Sequence, residues 1–251
     1  MIRTFALLLL TALFALPAAA QRAGPREGTI MASGLSVAFD ESQACPPIAS
    51  PFASPTRYDN SRRPMDRFGG LHGGIDLSLK EGTPLLAVAD GEAIATGEGG
   101  QMEGIFLWLR HAPEDSGLPF WVFSKYQHLS APPELKPGQR VKAGQRIGLS
   151  GATGTAGKHY GTAGYPHLHF TTYYGPSGEY EIKGMHGSMI SARGALLDDP
   201  LIVYLRDLAG LTDVRALPEA RRAVRPAIAL DSGEILPTGG RTVWPVACKR
   251  K

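Results

Sequence analysis

Cysteine and net charge are both scarce in this 251-residue chain, which has two cysteines and a formal net charge of +3 at pH 7. The small positive excess suits an anionic surface such as a cell envelope but gives no reason to expect nucleic acid as a partner. No dense basic patch with interleaved aromatic residues points to nucleic acid either. We therefore expect no nucleic-acid binding.

Long apolar runs are scarce as well. Residues 5–16 form one that follows Arg3 and precedes the small residues 18–20, the pattern of a secretory signal peptide. The run is too short for a comfortable membrane span, and no later stretch is apolar enough to cross a bilayer. We expect residues 1–20 to be a signal peptide and the mature protein to be exported, periplasmic or secreted. The alternative is a buried N-terminal helix.

The two cysteines, Cys45 and Cys248, lie near the two ends of the predicted folded region. In an exported protein an even pair predicts a disulfide. In the chain-entropy model a loop of that length stabilises the fold by roughly 5 kcal/mol. The alternative is two free thiols.

Helical periodicity is absent until about residue 196, whereas 31 glycines and 20 prolines punctuate short apolar runs. This pattern predicts a mostly β protein built on an antiparallel sheet, with a short, partly helical C-terminal tail. The predicted strands cover residues 75–78, 84–89, 92–96, 105–110, 121–127, 146–149 and 167–174. The predicted tail helices cover residues 201–211 and 219–224.

The length allows one main domain with extensions. We expect an N-terminal extension at residues 21–44, the main domain at 45–206, and a tail at 207–251 packed on that domain. No internal repeat is evident, and we expect a monomer.

The stretch GYPHLHF places two histidines one residue apart on a predicted strand. Side chains alternate between the two faces of a strand, so His167 and His169 share one face and Leu168 and Phe170 share the other. Two neighbouring imidazoles can serve a metal, a reacting water, or neither. An ordinary solvated strand face is the alternative.

The stretch LHGGIDLS separates His72 from Asp76 by four positions. In an extended strand their Cα atoms would lie roughly 13 Å apart, too far to share one ion. Gly73 and Gly74 allow the chain to bend or bulge so that both side chains converge. The result is a plausible half-site for zinc, with a glycine turn among incidental polar residues as the alternative.

A third stretch, YQHLS, places His128 near a strand end. Together the three stretches resemble the LytM/lysostaphin-type zinc metallopeptidases, which cut peptide bonds in peptidoglycan. The resemblance runs from about residue 48 to 205 and includes ASPF, GTPLLAVADGEAIATG, VKAGQRIGLSGATG and DPLIVYL. It implies that residues 45–206 are a LytM-type peptidase domain with the duplicated hybrid motif.

The resemblance also implies a role for each polar residue of these motifs. His72, Asp76 and His169 would bind one zinc ion, and His128 and His167 would be catalytic residues beside it. Three protein ligands leave a fourth position for water, which zinc activates. A histidine pair titrating near neutrality can take up the proton and stabilise the developing charge. Which histidine is the base stays open.

Peptidoglycan stem peptides or cross-links are the implied substrate. One alternative is a non-catalytic LytM-type activator or scaffold for other cell-wall hydrolases, and another is a small-peptide metallohydrolase unrelated to walls. Tyr126 is either a groove residue or a structural aromatic. We expect a structural role for His111, a place on the substrate rim for His159, and an exposed position for His186. Glycine-rich loops at residues 97–104 and 153–165 are expected to line the groove.

Overall fold

The main feature of the fold is an eight-stranded, mostly antiparallel sheet. The computed structural model describes residues 30–65, 68–100, 102–155 and 165–251, so the predicted signal peptide lies outside the described residues. Within these ranges no helix combines the length and the apolarity needed to cross a bilayer. The prediction of a mostly β fold is confirmed.

Short strands make up most of the regular structure. In chain order they are β1 (Ser36–Val37), β2 (Gln43–Ala44), β3 (Ile48–Ser50), β4 (Ile75–Ser78), β5 (Pro84–Leu86), β6 (Gly91–Glu98), β7 (Ile105–His111), β8 (Trp121–Leu129), β9 (Arg140–Val141), β10 (Arg146–Leu149), β11 (His167–Gly175), β12 (Tyr180–Lys183), β13 (Met189–Ala192), β14 (Leu196–Asp198), β15 (Ala223–Val224), β16 (Ile228–Ala229), β17 (Ile235–Leu236) and β18 (Lys249–Arg250). All seven predicted strands are present, with shifted ends in most cases.

Helices are short in the described residues. One α-helical turn, α1 (Pro113–Ser116), joins β7 to β8 and was not predicted, because four residues are too few to show a helical period. The predicted tail helices are 3-10 helices at Pro200–Tyr204, Leu211–Ala216 and Glu219–Arg221. The tail is partly helical as predicted, with elements that are shorter than the predicted ranges and of the 3-10 type.

Strand order places β4, β11 and β8 side by side. The main sheet runs β3-β4-β11-β8-β7-β6-β9, and β14 pairs with the later part of β11. Strand β11 is antiparallel to β4 and to β8 and lies between them, so its histidines face cross-strand neighbours on both sides. Strand β11, which begins with the stretch HLH, is therefore the centre of the candidate site.

The two faces of this sheet are covered differently. On one face Leu168 and Phe170 are fully buried in the main core. On the other face, which carries His169, a smaller cluster around Phe106 and Trp108 is covered by the β12–β13 hairpin. The Trp108 indole donates to the Ser188 carbonyl at 3.2 Å and ties the hairpin to the sheet. The hairpin covers the end of the face that is away from the histidines.

The C-terminal residues join the main core. Trp244 and Val246 are fully buried within it. The predicted disulfide between Cys45 and Cys248 is present, and next to it β18 pairs with β2. Residues 43–45 and 248–250 are thereby held together.

Candidate metal centre

Three polar atoms converge where β4 meets β11. His169 lies directly opposite Asp76 in the antiparallel ladder, and His72 lies just before β4. His72 Nε2 is 3.1 Å from Asp76 Oδ1 and 3.0 Å from His169 Nδ1. The triangle closes with 2.9 Å between His169 Nδ1 and Asp76 Oδ1. All three predicted ligands are therefore brought together.

The glycines between His72 and Asp76 lie in a bend of the chain and also provide space. A Cβ on Gly74 would overlap the Phe170 carbonyl and lie 3.0 Å from His169 Nε2. A Cβ on Gly73 would overlap the Phe68 ring. Neither glycine adopts the left-handed backbone region. The chain bends at both glycines, as expected, and their missing side chains let this segment lie against β11.

Hydrogen bonds fix the tautomer of His72 and support that of His169. His72 Nδ1 lies 3.0 Å from the Pro51 carbonyl, which can only accept, so Nδ1 carries the proton and Nε2 presents a lone pair. His169 Nε2 lies 2.9 Å from Thr171 Oγ1. When Nε2 donates there, Nδ1 presents its lone pair to the same triangle.

The third corner of the triangle is an ionised carboxylate. Burial raises the pKa of Asp76, but positive charge and hydrogen bonds from His72 and His169, whenever those rings are protonated, hold that pKa well below its usual range. Arg63 Nη2 lies 3.3 Å from the other oxygen, Oδ2, and also donates to Ser50 Oγ at 2.9 Å. The oxygen that faces the triangle is therefore an acceptor with no proton of its own.

Three converging acceptor atoms repel each other unless a cation lies between them. Metal–ligand bonds of about 2.1 Å in a tetrahedral site put ligand atoms about 3.4 Å apart, close to the separations in this triangle. Two imidazole nitrogens and a carboxylate oxygen are a usual donor set for zinc. The residues present therefore fit a small divalent metal ion.

Two further histidines border the triangle. His167 Nε2 is 3.6 Å from Asp76 Oδ1, and the ring centroids of His128 and His167 are 4.7 Å apart. His167 Nδ1 lies 2.7 Å from the Tyr165 carbonyl, and His128 Nδ1 lies 2.7 Å from the Thr153 carbonyl. Each carbonyl fixes the proton on Nδ1, so both Nε2 atoms are acceptors.

A backbone irregularity aims His128 at the site. In the ladder with β7, Gln127 pairs with Phe106 and Leu129 pairs with Ile105, so His128 is an extra residue in β8. Its φ of 64° lies in the left-handed region. Strict alternation would put His128 on the core face, and the bulge turns it to the face of His169. Burial, followed by the charges of His167 and His169, lowers its pKa well below the usual range.

The other histidines and Tyr126 lie outside this cluster. His111 is fully buried between the Asp90 carbonyl and Ser124 Oγ, at 2.7 and 2.8 Å, and His186 is exposed. His159 lies outside the described residues. The Tyr126 hydroxyl accepts from the Val88 N–H at 2.9 Å inside the core, which supports its structural reading.

Sequence reasoning missed two kinds of residue near the site. Arg63 lies in an irregular segment, and only the structure reveals its contact with Asp76. Tyr165 stacks on His167, with ring centroids 5.3 Å apart, and Tyr58 stacks on Tyr165 at 3.9 Å. The adjacency of Tyr165 to the HLH stretch was the available signal for the first tyrosine, whereas Tyr58 had none.

Comparison with known proteins supports the resemblance to LytM/lysostaphin-type peptidases. Residues 70–180 match Peptidase family M23. A Haemophilus influenzae protein named "Uncharacterized metalloprotease" is 38% identical over 125 residues, which are 49% of this chain and 22% of that protein. The glycyl-glycine endopeptidase ALE-1 of Staphylococcus capitis is 40% identical over 113 residues, 45% of this chain and 27% of ALE-1.

A third relative is the peptidoglycan DD-endopeptidase ShyA of Vibrio cholerae, 30% identical over 125 residues, 49% of this chain and 25% of ShyA. In all three cases the match spans about a quarter of the relative's own length. The matched segment includes the residues of the triangle and both neighbouring histidines. Residues 70–180 thus match a LytM/lysostaphin-type peptidase domain of Peptidase family M23.

Proposed function

We propose that this protein is an exported zinc metalloendopeptidase that hydrolyses peptide bonds in peptidoglycan stem peptides or cross-links. The observation that carries the proposal is the triangle of acceptor atoms from His72, Asp76 and His169, with two more histidine acceptors beside it. The names of ALE-1 and ShyA, both endopeptidases, support the reaction type.

His72, Asp76 and His169 would hold the zinc ion. Zinc bound there supplies Lewis-acid polarisation of the scissile carbonyl and activation of a water molecule. Arg63 keeps the second Asp76 oxygen occupied, so Oδ1 stays directed at the ion. Thr171 orients the His169 ring through Nε2. Such supporting contacts typically affect metal affinity by about 10- to 100-fold.

His128 and His167 would carry the proton. Each presents an unprotonated Nε2, because a backbone carbonyl holds its Nδ1 proton. One Nε2 takes the proton from the attacking water, and the resulting imidazolium can return it to the leaving nitrogen. The second ring stabilises charge that develops at the scissile carbonyl once it is protonated. Either histidine satisfies the geometry of the base.

The proposal extends to the chain as a whole. Residues 1–20 would be a signal peptide, residues 45–206 the peptidase domain, and residues 207–251 a tail packed on it. A periplasmic location and directly cross-linked wall as the substrate complete the proposal, and the name of ShyA, a peptidoglycan DD-endopeptidase, supports the substrate.

The test is digestion of diaminopimelate-type peptidoglycan by the zinc-loaded mature protein, with mass analysis of the products. We expect cross-linked dimers to become monomers while glycan strands stay intact. A chelator and His169→Ala should each abolish this, whereas His186→Asn, which removes an exposed histidine at a position with φ of 52°, should not. Cut glycan strands would show a different hydrolase. No product from fully zinc-loaded protein would favour an activator.

A further inference from the structure

A second concave site lies far from the metal centre. It is a cavity of about 450 Å³ formed by Ser116 at the end of α1, Gly117 after it, Arg206 after a 3-10 helix, Arg225, and the turn at residues 237–241. Ser116 and Gly117 come shortly before the start of β8, whereas His128 is near its end. The seven residue steps from Trp121 to His128 span about 24 Å of strand. The cavity therefore belongs to a different surface of the molecule.

The lining of this cavity carries positive charge. Arg206, Arg225 and Arg241 contribute to it, and no aspartate or glutamate is among its described lining residues. Burial, followed by the charge of Arg241, lowers the pKa of Arg206, which shows that the two guanidinium groups lie within range of each other. Like charges held together in this way favour an anion between them.

Acidic residues near the rim offset this charge only in part. Asp40 Oδ1 lies 3.6 Å from Arg225 Nη1, but the two side chains are 69% and 67% exposed. A pair so exposed contributes little, because water and salt screen it. Asp207 also acts on Arg206, although more weakly than Arg241 does. The cavity thus keeps a surplus of positive charge.

Two of the arginines are held in place by the fold. Arg206 donates to the Leu205 carbonyl at 3.0 Å and to Oγ1 of the fully buried Thr242 at 2.8 Å. Arg241 donates to the Glu114 carbonyl at 3.4 Å. Gly117 has a φ of 76°, and a Cβ there would lie 3.2 Å from Arg241 Cδ. Glycine at this position therefore allows the left-handed backbone that ends α1 and leaves room for the Arg241 side chain.

We propose that this cavity binds a phosphate group carried by a larger molecule. Guanidinium groups bind phosphate oxygens in a fork geometry, and a tetrahedral phosphate ester offers its oxygens in three dimensions to arginines on different sides, whereas a planar carboxylate offers two oxygens in one plane. At about 30 Å³ per water molecule, the cavity has room for about 15 waters, more than one inorganic phosphate needs. A phosphate ester with an attached polyol or sugar-sized group fits this space.

The test measures binding by the intact mature protein and does not depend on peptidase activity. Glycerol phosphate probes a soluble phosphate ester, and phosphatidylglycerol vesicles, compared with phosphatidylcholine vesicles, probe the same group on a lipid. We expect Arg241→Gln and Arg225→Gln each to weaken binding by about tenfold or more. The matched control is Arg193→Gln, which removes the same charge from a side chain that is 85% exposed elsewhere.

Each outcome decides the proposal. Glycerol phosphate binding that both cavity variants weaken supports the site and a soluble source. If the protein binds only the phosphatidylglycerol vesicles, and both cavity variants weaken that binding, the result supports the site with a lipid as the source of the phosphate group. Binding to neither probe overturns the proposal, as does equal weakening by Arg193→Gln. The cavity variants should keep the metal content of the parent protein. A failure of the proposed peptidase function can therefore be told apart from a failure of the phosphate site.

Discussion

Two buried histidines, His111 at the end of β7 and His72 just before β4, differ in what their ring nitrogens face. His111 uses both nitrogens, one against the Asp90 carbonyl and one against Ser124 Oγ. His72 uses Nδ1 against Pro51 and turns Nε2 toward Asp76 and His169. A histidine with both nitrogens in hydrogen bonds stabilises the fold, whereas one with a directed lone pair can bind a cation. The difference separates structural histidines from candidate functional ones.

The largest expected effect comes from removing a corner of the triangle. His72→Ala, Asp76→Ala and His169→Ala should each reduce bound zinc from about one ion per chain to below about a tenth, because two donors no longer hold the ion. Metal analysis after gel filtration measures this. His111→Gln is the matched control and should keep its zinc. A ligand variant that keeps full zinc would show that the assignment is wrong.

The next effect concerns stability at low pH. Burial lowers the pKa of His111 to about 4, from 6.5. Between these values the unfolded chain binds a proton that the native protein does not. The stability that neutral, buried His111 contributes is therefore fully present above about pH 6.5. This contribution to the free energy of unfolding falls by about 3 kcal/mol as the pH drops to 4.

Denaturant unfolding in a chelator, at pH 7 and pH 4.5, tests this for the parent protein and His111→Gln. The parent should lose more stability than the variant over this interval, since only the parent carries the buried imidazole. NMR titration of the His111 ring provides a second measurement. Equal losses, together with a ring that titrates near 6.5, would contradict the account.

A smaller effect is expected for the two neighbours of the triangle. His128→Ala and His167→Ala should keep most of their zinc and lose turnover by a factor on the order of a hundred, or about 3 kcal/mol of transition-state stabilisation. Zinc content and the rate of dimer cleavage, measured on the same preparations, separate the two roles. Full activity in both variants would remove the proposed acid–base pair.

The smallest effect is expected from the contacts behind the triangle. Thr171→Val removes the partner of His169 Nε2, and Arg63→Gln removes the cation at Asp76 Oδ2. Each should weaken zinc binding by about tenfold with the fold intact. Competition with a zinc-binding dye measures the shift. An unchanged affinity in both variants would show that the ring and carboxylate orientations do not depend on these contacts.

The sequence predicted more of the site than of its surroundings. Spacing alone placed His167 and His169 on one strand face, and the resemblance supplied His72, Asp76 and His128. The position of His128 depends on a bulge that pairing creates, which strand alternation cannot reveal. The contact of Arg63 with Asp76 joins an irregular segment to the sheet, and no local pattern encodes such a contact.

The most direct test of the central claim is a crystal structure of the zinc-loaded protein with anomalous scattering at the zinc edge. The account predicts one zinc ion per chain, about 2.0 to 2.2 Å from His72 Nε2, Asp76 Oδ1 and His169 Nδ1. His128 and His167 should stay outside bonding distance. An ion bound by either of these two histidines, or none at the triangle in protein shown to contain zinc, would contradict the account.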